Sequence, residues 1–268
     1  KLINGGDTNF RAISSTWPVF GFSSDLGLID STPVSTLFSL GLTQDEAVQY
    51  EGASNYAPVP SLWKSYFDTE LAALSFFHQD HAESSNLASF FDSKVAQDSI
   101  ATAGQDYLTI TALSVRQAFG ATQLCGTKNQ TYLFLKEISS DGNMNTVDVV
   151  FPAYPIFLYA NPELLKLVLT PLFENQEAGK YPNKYSMHDL GSAYPNATGH
   201  SDGNDEKMPL EECGDMLIMS LAYAQKSGDS DFLNNHYALL KQWTSYLVED
   251  SLYPANQIST DDFAGSLA

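Results

Sequence analysis

The spacing of apolar residues divides the chain into a short β-favouring part and a long helical part. Residues 17–22 and 34–40 are apolar runs bounded by Gly, Pro, Asp and Ser, which predicts two strands. Residues 55–60, Asn-Tyr-Ala-Pro-Val-Pro, predict a turn-rich connector. From Ser61 onward the apolar positions follow the three-and-four spacing of helices. The change in period therefore predicts a domain boundary between residues 60 and 61.

Three helices in the second half of the chain have clear start and stop signals. Asn161-Pro-Glu163 combines a capping side chain, a proline in the first turn and an acid near the positive helix end, and this helix is expected to stop at Gly179. A second helix is expected from Pro209 to Gly228, and a third directly after Asp229 and Ser230. Earlier apolar stripes predict further helices, with faces directed into a core, over residues 62–77, 87–95 and 107–118.

The connections between these helices differ in length. The turn at 228–230 is tight. In contrast, about 28 residues between Gly179 and Met208 show no helical pattern, and loops of that length are usually functional. Further long loops are expected at 136–155 and 249–263. Short turns at one end of helical hairpins and long polar loops at the other are typical of an α/α toroid with a cleft on its loop-rich face.

Composition and charge narrow the class of partner. The 268 residues include 13 Lys and Arg against 32 Asp and Glu, a net charge of −19, so nucleic acid and anionic membranes are excluded as partners. No apolar run reaches the roughly 20 residues of a membrane span. Cys125 and Cys213 are expected to be separate buried thiols, and one disulfide between them stays open as the alternative. Two sequons, at Asn129 and Asn196, and the acidic composition predict a secreted glycoprotein whose targeting segment has been removed.

Carboxylates are concentrated in the three long loops. The dense stretches are residues 136–148, 185–206 with its continuation to 215, and 256–265. If the hairpins alternate, these stretches lie on one face, where paired carboxylates divide general acid and general base work because proximity and burial separate their pKa values. A solvated acidic rim is the alternative for any single carboxylate.

Other chemistries find less support in the sequence. Nucleophile-elbow, phosphate-loop and dinucleotide motifs are absent. His188 and His200 lack the His-x-x-x-His spacing of zinc enzymes, so no metal centre and no cofactor are predicted. Calcium is the one ion left open, because residues 202–206 supply several oxygen ligands without forming an EF-hand loop. Cys213 follows two glutamates that raise a thiol pKa, which makes it a poor nucleophile.

The chain resembles the fungal glutaminase A family over nearly its whole length. The motifs that carry the resemblance are Thr16-Trp-Pro-Val-Phe20, Ser114-Val-Arg-Gln-Ala-Phe-Gly120, Leu135-Lys-Glu-Ile-Ser-Ser-Asp-Gly-Asn143, Tyr181-Pro-Asn-Lys-Tyr185, His188-Asp-Leu-Gly191, Tyr194-Pro-Asn-Ala-Thr-Gly-His200 and Pro254-Ala-Asn-Gln-Ile-Ser-Thr-Asp-Asp-Phe-Ala-Gly265. The resemblance implies a secreted amidohydrolase that converts L-glutamine to L-glutamate and ammonia. It also implies a β-sandwich followed by an (α/α)6 toroid of the six-hairpin, glycosidase-like kind.

Members of this family are much longer than 268 residues. The resemblance therefore implies a mostly α chain in which residues 1–60 end a β-sandwich and residues 61–268 begin an (α/α)6 toroid. Half a toroid exposes a large apolar face, so a second fragment or chain is expected to complete it. Leu217, Ile218 and Leu221 are expected to contact segments outside residues 1–268.

The polar and charged residues of the long loops suggest individual roles in the site. Asp189 and Glu211 are predicted as the acid and base, with Asp261 as a third acid, and their carboxyl groups should lie within about 10 Å of one another. The residues expected to bind L-glutamine are Lys136, Glu137, Asp141, Tyr185, His188 and Glu212. Two alternatives stay open. One is a glycoside hydrolase with the same paired carboxylates. The other is a non-catalytic carbohydrate-binding module that uses the tyrosine-rich residues 181–194.

Overall fold

The computed structural model describes residues 9, 11–15, 17, 21–54, 56–137, 142–191, 193–255 and 257, and it divides into two compact units, Lys1–Gly41 and Leu42–Ala268. The described residues of the first unit contain turns but no helix or strand. The prediction of a strand at 34–40 is therefore wrong, because a strand needs a neighbouring strand to pair with and the described part of this unit provides none. The run at 17–22 lies partly outside the described residues.

The second unit contains five strands and seven helices within its described residues, besides a short 3-10 helix at Leu62–Ser65. The strands are β1 (Glu46–Tyr50), β2 (Ala57–Pro60), β3 (Thr122–Thr127), β4 (Gln130–Leu135) and β5 (Asn196–Ala197). The helices are α1 (Glu70–Gln79), α2 (His81–Ala121), α3 (Val147–Ala160), α4 (Pro162–Glu177), α5 (Pro209–Ser227), α6 (Ser230–Asn235) and α7 (Tyr237–Asp250). About half of the described residues are helical and the strands are short, which confirms the predicted mostly α class.

Two small sheets flank the helices. β1 pairs antiparallel with β2 and parallel with β5, and β3 and β4 form an antiparallel hairpin. β2 occupies residues predicted as a connector, so that prediction is wrong. Proline is tolerated in β2 because the strand lies at the edge of its sheet, where missing N–H groups break no ladder.

The core lies between α3, α4, α5 and α7, with β4 packed against α4. Helix α4 contributes its apolar stripe, α5 contributes Met216, Met219 and Tyr223, and α7 contributes Trp243, all of them buried. Cys125 and Cys213 are both buried free thiols, as predicted. Among the described residues, no helix combines the length and apolar character that crossing a membrane requires.

The start and stop signals in the second half of the chain are confirmed. The Asn161 side chain accepts a hydrogen bond from the Glu163 N–H at the start of α4, and α5 ends at Gly228 in the left-handed conformation. The expected third helix is two helices, because the chain departs from helical geometry at His236 between α6 and α7.

Helix α3 (Val147–Ala160) occupies the second part of the loop expected at 136–155. Pro152 and Pro155 lie inside it, and prolines normally end helices because they lack an N–H and clash with the preceding turn. Here both prolines lie on the exposed side, whereas Val150 and Phe157 are fully buried on the other. Burial of the apolar face stabilises a helix that local propensity disfavours.

Most of the apolar residues of α1 and α2 stay exposed in the described chain, although Val95 and Ala118 of α2 are buried. Leu71, Leu87, Phe90 and Ile110 are each more than 60% exposed, so the predicted core faces are wrong here. Periodicity predicts a helix, but it does not identify the surface that covers its apolar face. Helix α2 also kinks at Ala103 and Gly104, where the backbone leaves helical geometry.

Candidate active site

Two segments that are distant in sequence run side by side at the centre of the site. Leu190 N–H donates to the Met144 carbonyl, and Val147 N–H donates to the His188 carbonyl, each at 2.8 Å. Asn145 fixes this segment to the core, because its amide accepts from the Leu135 N–H and donates to a carbonyl of α4. The first turn of α3 is thereby held next to the long loop between α4 and α5.

His188 lies at the junction of these elements and is 2% exposed. Its Nδ1 is 2.8 Å from Asp189 Oδ2, and its Nε2 is 3.8 Å from Asp148 Oδ1 and 3.9 Å from Glu212 Oε1. Burial disfavours the imidazolium, but the hydrogen bond to Asp189 and the surrounding carboxylates outweigh it and raise the pKa of His188. The ring is thus surrounded by acids contributed by α3, the long loop and α5.

Asp189 accepts three hydrogen bonds. Besides His188 it binds His200 Nε2 at 2.8 Å and the Gly191 backbone N–H. Burial alone would raise the pKa of Asp189, but the two histidines favour its charged form and hold the pKa well below its usual range. Gly191 has a φ of 110°, which favours glycine, so this turn brings its N–H to the carboxylate.

Asp205 supports His188 from the backbone side. Its Oδ2 accepts the His188 N–H at 2.8 Å, and its Oδ1 accepts the Tyr181 hydroxyl at 2.9 Å. Tyr185 packs against Tyr181 and Tyr246, with ring centroids 6.1 and 5.2 Å away. The tyrosine-rich loop therefore positions Asp205, and Asp205 in turn positions the backbone of His188.

The first two turns of α5 contribute three acids. Glu212 is fully buried, Asp215 is 7% exposed and Glu211 is partly exposed. Burial and the field of Asp148 raise the pKa of all three, well above the ordinary value for Glu212 and to about 7 for Asp215. Gln257, from the third predicted loop, caps this end of the helix by accepting the Leu210 N–H at 2.9 Å.

Three donor atoms converge at the centre of the cluster. One side-chain donor atom each from Asp148, His188 and Glu212 lies within 4.8 Å of the other two. His188 Nε2 and both Glu212 carboxylate oxygens are buried without a hydrogen-bond partner among the described residues. Buried polar atoms are normally satisfied, so this set has the composition of a cation-binding site.

The structure brings most of the predicted site residues into one region. Asp189, His188, Glu211 and Glu212 belong to the cluster, and Glu137 adjoins it because its carboxylate accepts the Thr146 hydroxyl at 3.3 Å. Lys136 binds Gln123 and lies over the Tyr194 ring, 4.5 Å from its centroid. Asp141 and Asp261 lie outside the described residues, so the predicted proximity of Asp189, Glu211 and Asp261 stays a prediction.

The structure also describes the two glycosylation sequons and the candidate calcium ligands predicted from sequence. Asn129, in the turn between β3 and β4, and Asn196, in β5, are both exposed. The oxygens proposed for calcium diverge, because Asp202 binds Asn204 at the surface while Asp205 turns inward to His188.

Four members of the site had no assigned role in the sequence-based prediction. His200 and Asp205 lie in the loop predicted to be functional, and Asp215 lies four residues after Glu211 on the same helix, a spacing that places both side chains on one face. Asp148 ends the carboxylate-dense stretch 136–148 and received no role, because the prolines of α3 obscured the helix whose first turn it occupies.

These helices and this acid cluster define a helical-hairpin domain with the groups for acid–base chemistry. Residues 104–268 match the model of the glutaminase A six helical-hairpin domain, and the chain therefore belongs to that family. Residues 1–98 match a domain of unknown function, DUF5127. The two matches meet near the kink of α2 at Gly104, whereas the sequence-based boundary at 60/61 stays a prediction.

Two curated relatives align with the whole chain. It is 65% identical to a protein named glutaminase A from Aspergillus oryzae, over 39% of that protein's length. It is 38% identical to a probable glutaminase from Arthroderma benhamiae, over 38% of that protein's length. The chain thus spans about two fifths of the length of these relatives.

Proposed function

We propose that the protein hydrolyses the side-chain amide of L-glutamine to L-glutamate and ammonia. The observation that carries this proposal is the 65% identity, over the whole chain, to a protein named glutaminase A. The acid cluster at the ends of α3 and α5 supports it, because amide hydrolysis requires both the activation of water and a proton for the departing ammonia.

Glu211 is the proposed acid–base residue. It is the acid of α5 that is still partly exposed, so a substrate can reach it, and it shares the electrostatic field of Asp148. As a base it takes a proton from the water that attacks the amide carbon. As an acid it returns that proton to the nitrogen when the carbon–nitrogen bond breaks.

Asp189 takes a positioning role in this proposal. Its three hydrogen bonds keep it ionised and direct His188 and His200, so it has no proton to give near neutral pH. The acid–base role that the sequence assigns jointly to Asp189 and Glu211 thus falls to Glu211 and its neighbours on α5.

The remaining groups suit the two ends of glutamine. The carboxylates favour the substrate ammonium group, and Lys136 is a cation beside Glu137 that can bind the substrate carboxylate. Tyr185, next to the site, is a second candidate for that carboxylate.

The test is ammonia release from L-glutamine by the full-length protein, measured beside a panel of glycosides. We expect ammonia from glutamine and no sugar release. Sugar release without ammonia would instead favour a glycoside hydrolase, and neither product would favour a carbohydrate-binding module.

Secretion and completion of the helical domain are part of the same proposal. Two exposed sequons support a glycosylated, extracellular protein. Ile218 and Leu221 of α5 are 48% and 49% exposed, which supports the idea that a further segment or a second fragment covers this helix.

A further inference from the structure

Glu212 is a buried carboxylate without a donor. It is fully buried, and neither of its oxygens has a hydrogen-bond partner among the described residues. His188 Nε2 is 3.9 Å away, beyond hydrogen-bonding distance, and no lysine or arginine of the described part forms an ion pair with Glu212. Buried carboxylates are costly unless they are paired or coordinate a metal.

The Nε2 atom of His188 faces Glu212, with 3.9 Å between Nε2 and Glu212 Oε1. A carboxylate can only accept, so the hydrogen bond to Asp189 places a proton on His188 Nδ1. In the neutral ring, the form that binds metals, Nε2 then carries the free lone pair. This Nε2 is buried and has no partner within the described residues. A carboxylate that orients a histidine through its other nitrogen is the usual support for a metal-binding imidazole.

The spacing of the donors suits one ion. Zn²⁺ bonds of about 2.1 Å place tetrahedral ligands about 3.4 Å apart. His188 Nε2 is 3.8 Å from Asp148 Oδ1 and 3.9 Å from Glu212 Oε1, so a small contraction brings all three donors into range.

We propose that Asp148, His188 and Glu212 bind one divalent transition-metal ion, Zn²⁺ or Mn²⁺, with Asp189 as the residue that orients His188. The imidazole ligand favours Zn²⁺, and the two carboxylates also suit Mn²⁺, whereas Mg²⁺ and Ca²⁺ prefer sites made of oxygen alone. This inference goes beyond the proposed hydrolysis, because it concerns what these buried groups bind, whatever the substrate is.

Protonation of Glu212 would also explain a buried carboxyl group without a cationic partner. It would still leave both Glu212 oxygens and His188 Nε2 without hydrogen-bond partners among the described residues. A neutral carboxyl group still has one hydroxyl donor and a carbonyl acceptor that need partners. The lone pair of His188 Nε2 would also stay unused unless the ring were charged. A bound cation satisfies both side chains together.

The test measures metal rather than activity. The full-length protein is stripped with a chelator and desalted. It is then incubated with ZnCl₂, MnCl₂, MgCl₂ or CaCl₂, and its metal content and thermal midpoint are recorded. We expect the wild type to retain one Zn²⁺ or Mn²⁺ per chain after desalting, with a raised midpoint, and to retain neither Mg²⁺ nor Ca²⁺.

Three variants locate the ion. Glu212→Gln, which keeps the shape and removes the charge, should lose the retained metal. Asp189→Asn should bind it about 10–100-fold more weakly. Glu206→Gln, an exposed acid of the same loop, should match the wild type.

Other results would overturn the proposal. They are a wild type that retains no transition metal, a Glu212→Gln protein with wild-type metal content, and retention that is lost equally in Glu206→Gln. Should Glu212→Gln fail to fold, the wild-type stoichiometry and the affinity of Asp189→Asn decide the question.

Discussion

Two carboxylates hold His188 from different sides. Asp189 binds the ring, while Asp205 accepts the backbone N–H and is itself held by the Tyr181 hydroxyl. The order of the site therefore depends on residues that need not touch the substrate. Tyr181 is 5% exposed, and its hydroxyl donates a hydrogen bond to the Asp205 carboxylate.

Tyr181→Phe should lower the free energy of unfolding by about 1–3 kcal/mol, because it removes a donor from a mostly buried carboxylate. Urea unfolding of the full-length protein measures this change. Tyr253→Phe, at a residue that is 86% exposed, is the matched control and should stay within about 0.5 kcal/mol of the wild type. Equal effects of the two substitutions would show that the Tyr181–Asp205 hydrogen bond contributes nothing to stability.

Glycosylation is also tested at single residues. Asn129 and Asn196 are exposed sequon asparagines, so both should carry glycans in protein secreted by a eukaryotic host. Asn129→Gln and Asn196→Gln should each remove one glycan from the intact mass, and glycosidase treatment should bring all forms to the peptide mass. A wild type that already has the peptide mass would count against secretion through the glycosylating pathway.

At the scale of elements, α5 contains a matched pair of glycines. Gly228 ends the helix with a φ of 78°, while Gly214 lies inside it, and a Cβ at either position meets no atom within 4 Å. Gly228→Ala should lower the free energy of unfolding by about 1–2 kcal/mol, because alanine is strained in the left-handed conformation.

Gly214→Ala should raise the free energy of unfolding by about 0.5–1 kcal/mol, because alanine loses less backbone entropy inside a helix. Chemical denaturation of the two variants in parallel measures the difference. The same sign of change in both would contradict the assignment of the helix end at Gly228.

The elements differ in how well the sequence predicts them. Helices α4 and α5 follow from local signals, namely the cap at Asn161 and the glycine at 228, and the long loop between them follows from the missing helical pattern. Helix α3 could not be predicted, since only tertiary burial of Val150 and Phe157 offsets its prolines. The hairpin of β3 and β4 was missed because its turn lacks the glycine that usually marks one.

The residues of the site also differ in how well the sequence predicts them. His188, Asp189 and Glu212 could be found because they lie in or next to a long polar loop. Asp148 meets them only through the pairing of residues 144–147 with 188–191, which no local pattern encodes. The prediction of no metal centre rested on motif spacing, whereas the three candidate ligands come from separate elements, so that prediction stays untested.

At the scale of the molecule, α5 has an apolar side that the described chain leaves exposed. If further segments of the longer protein cover it, Leu221→Ala in the full-length protein should lower the free energy of unfolding by about 2–5 kcal/mol. Leu165→Ala, at a residue already fully buried, provides the reference cost of losing a core leucine. A change in Leu221→Ala of less than about 0.5 kcal/mol would mean that Leu221 stays at the surface.

We propose that the acid cluster at the ends of α3 and α5 hydrolyses glutamine. The most direct test is the kcat and KM of ammonia release by full-length Glu211→Gln, with Glu206→Gln as the control. We predict that kcat falls about 10²–10⁴-fold in Glu211→Gln, because the group that transfers the proton is lost, while KM changes little and the control matches the wild type. A Glu211→Gln enzyme with the kcat of the wild type would show that Glu211 does not transfer the proton and would contradict hydrolysis by this cluster.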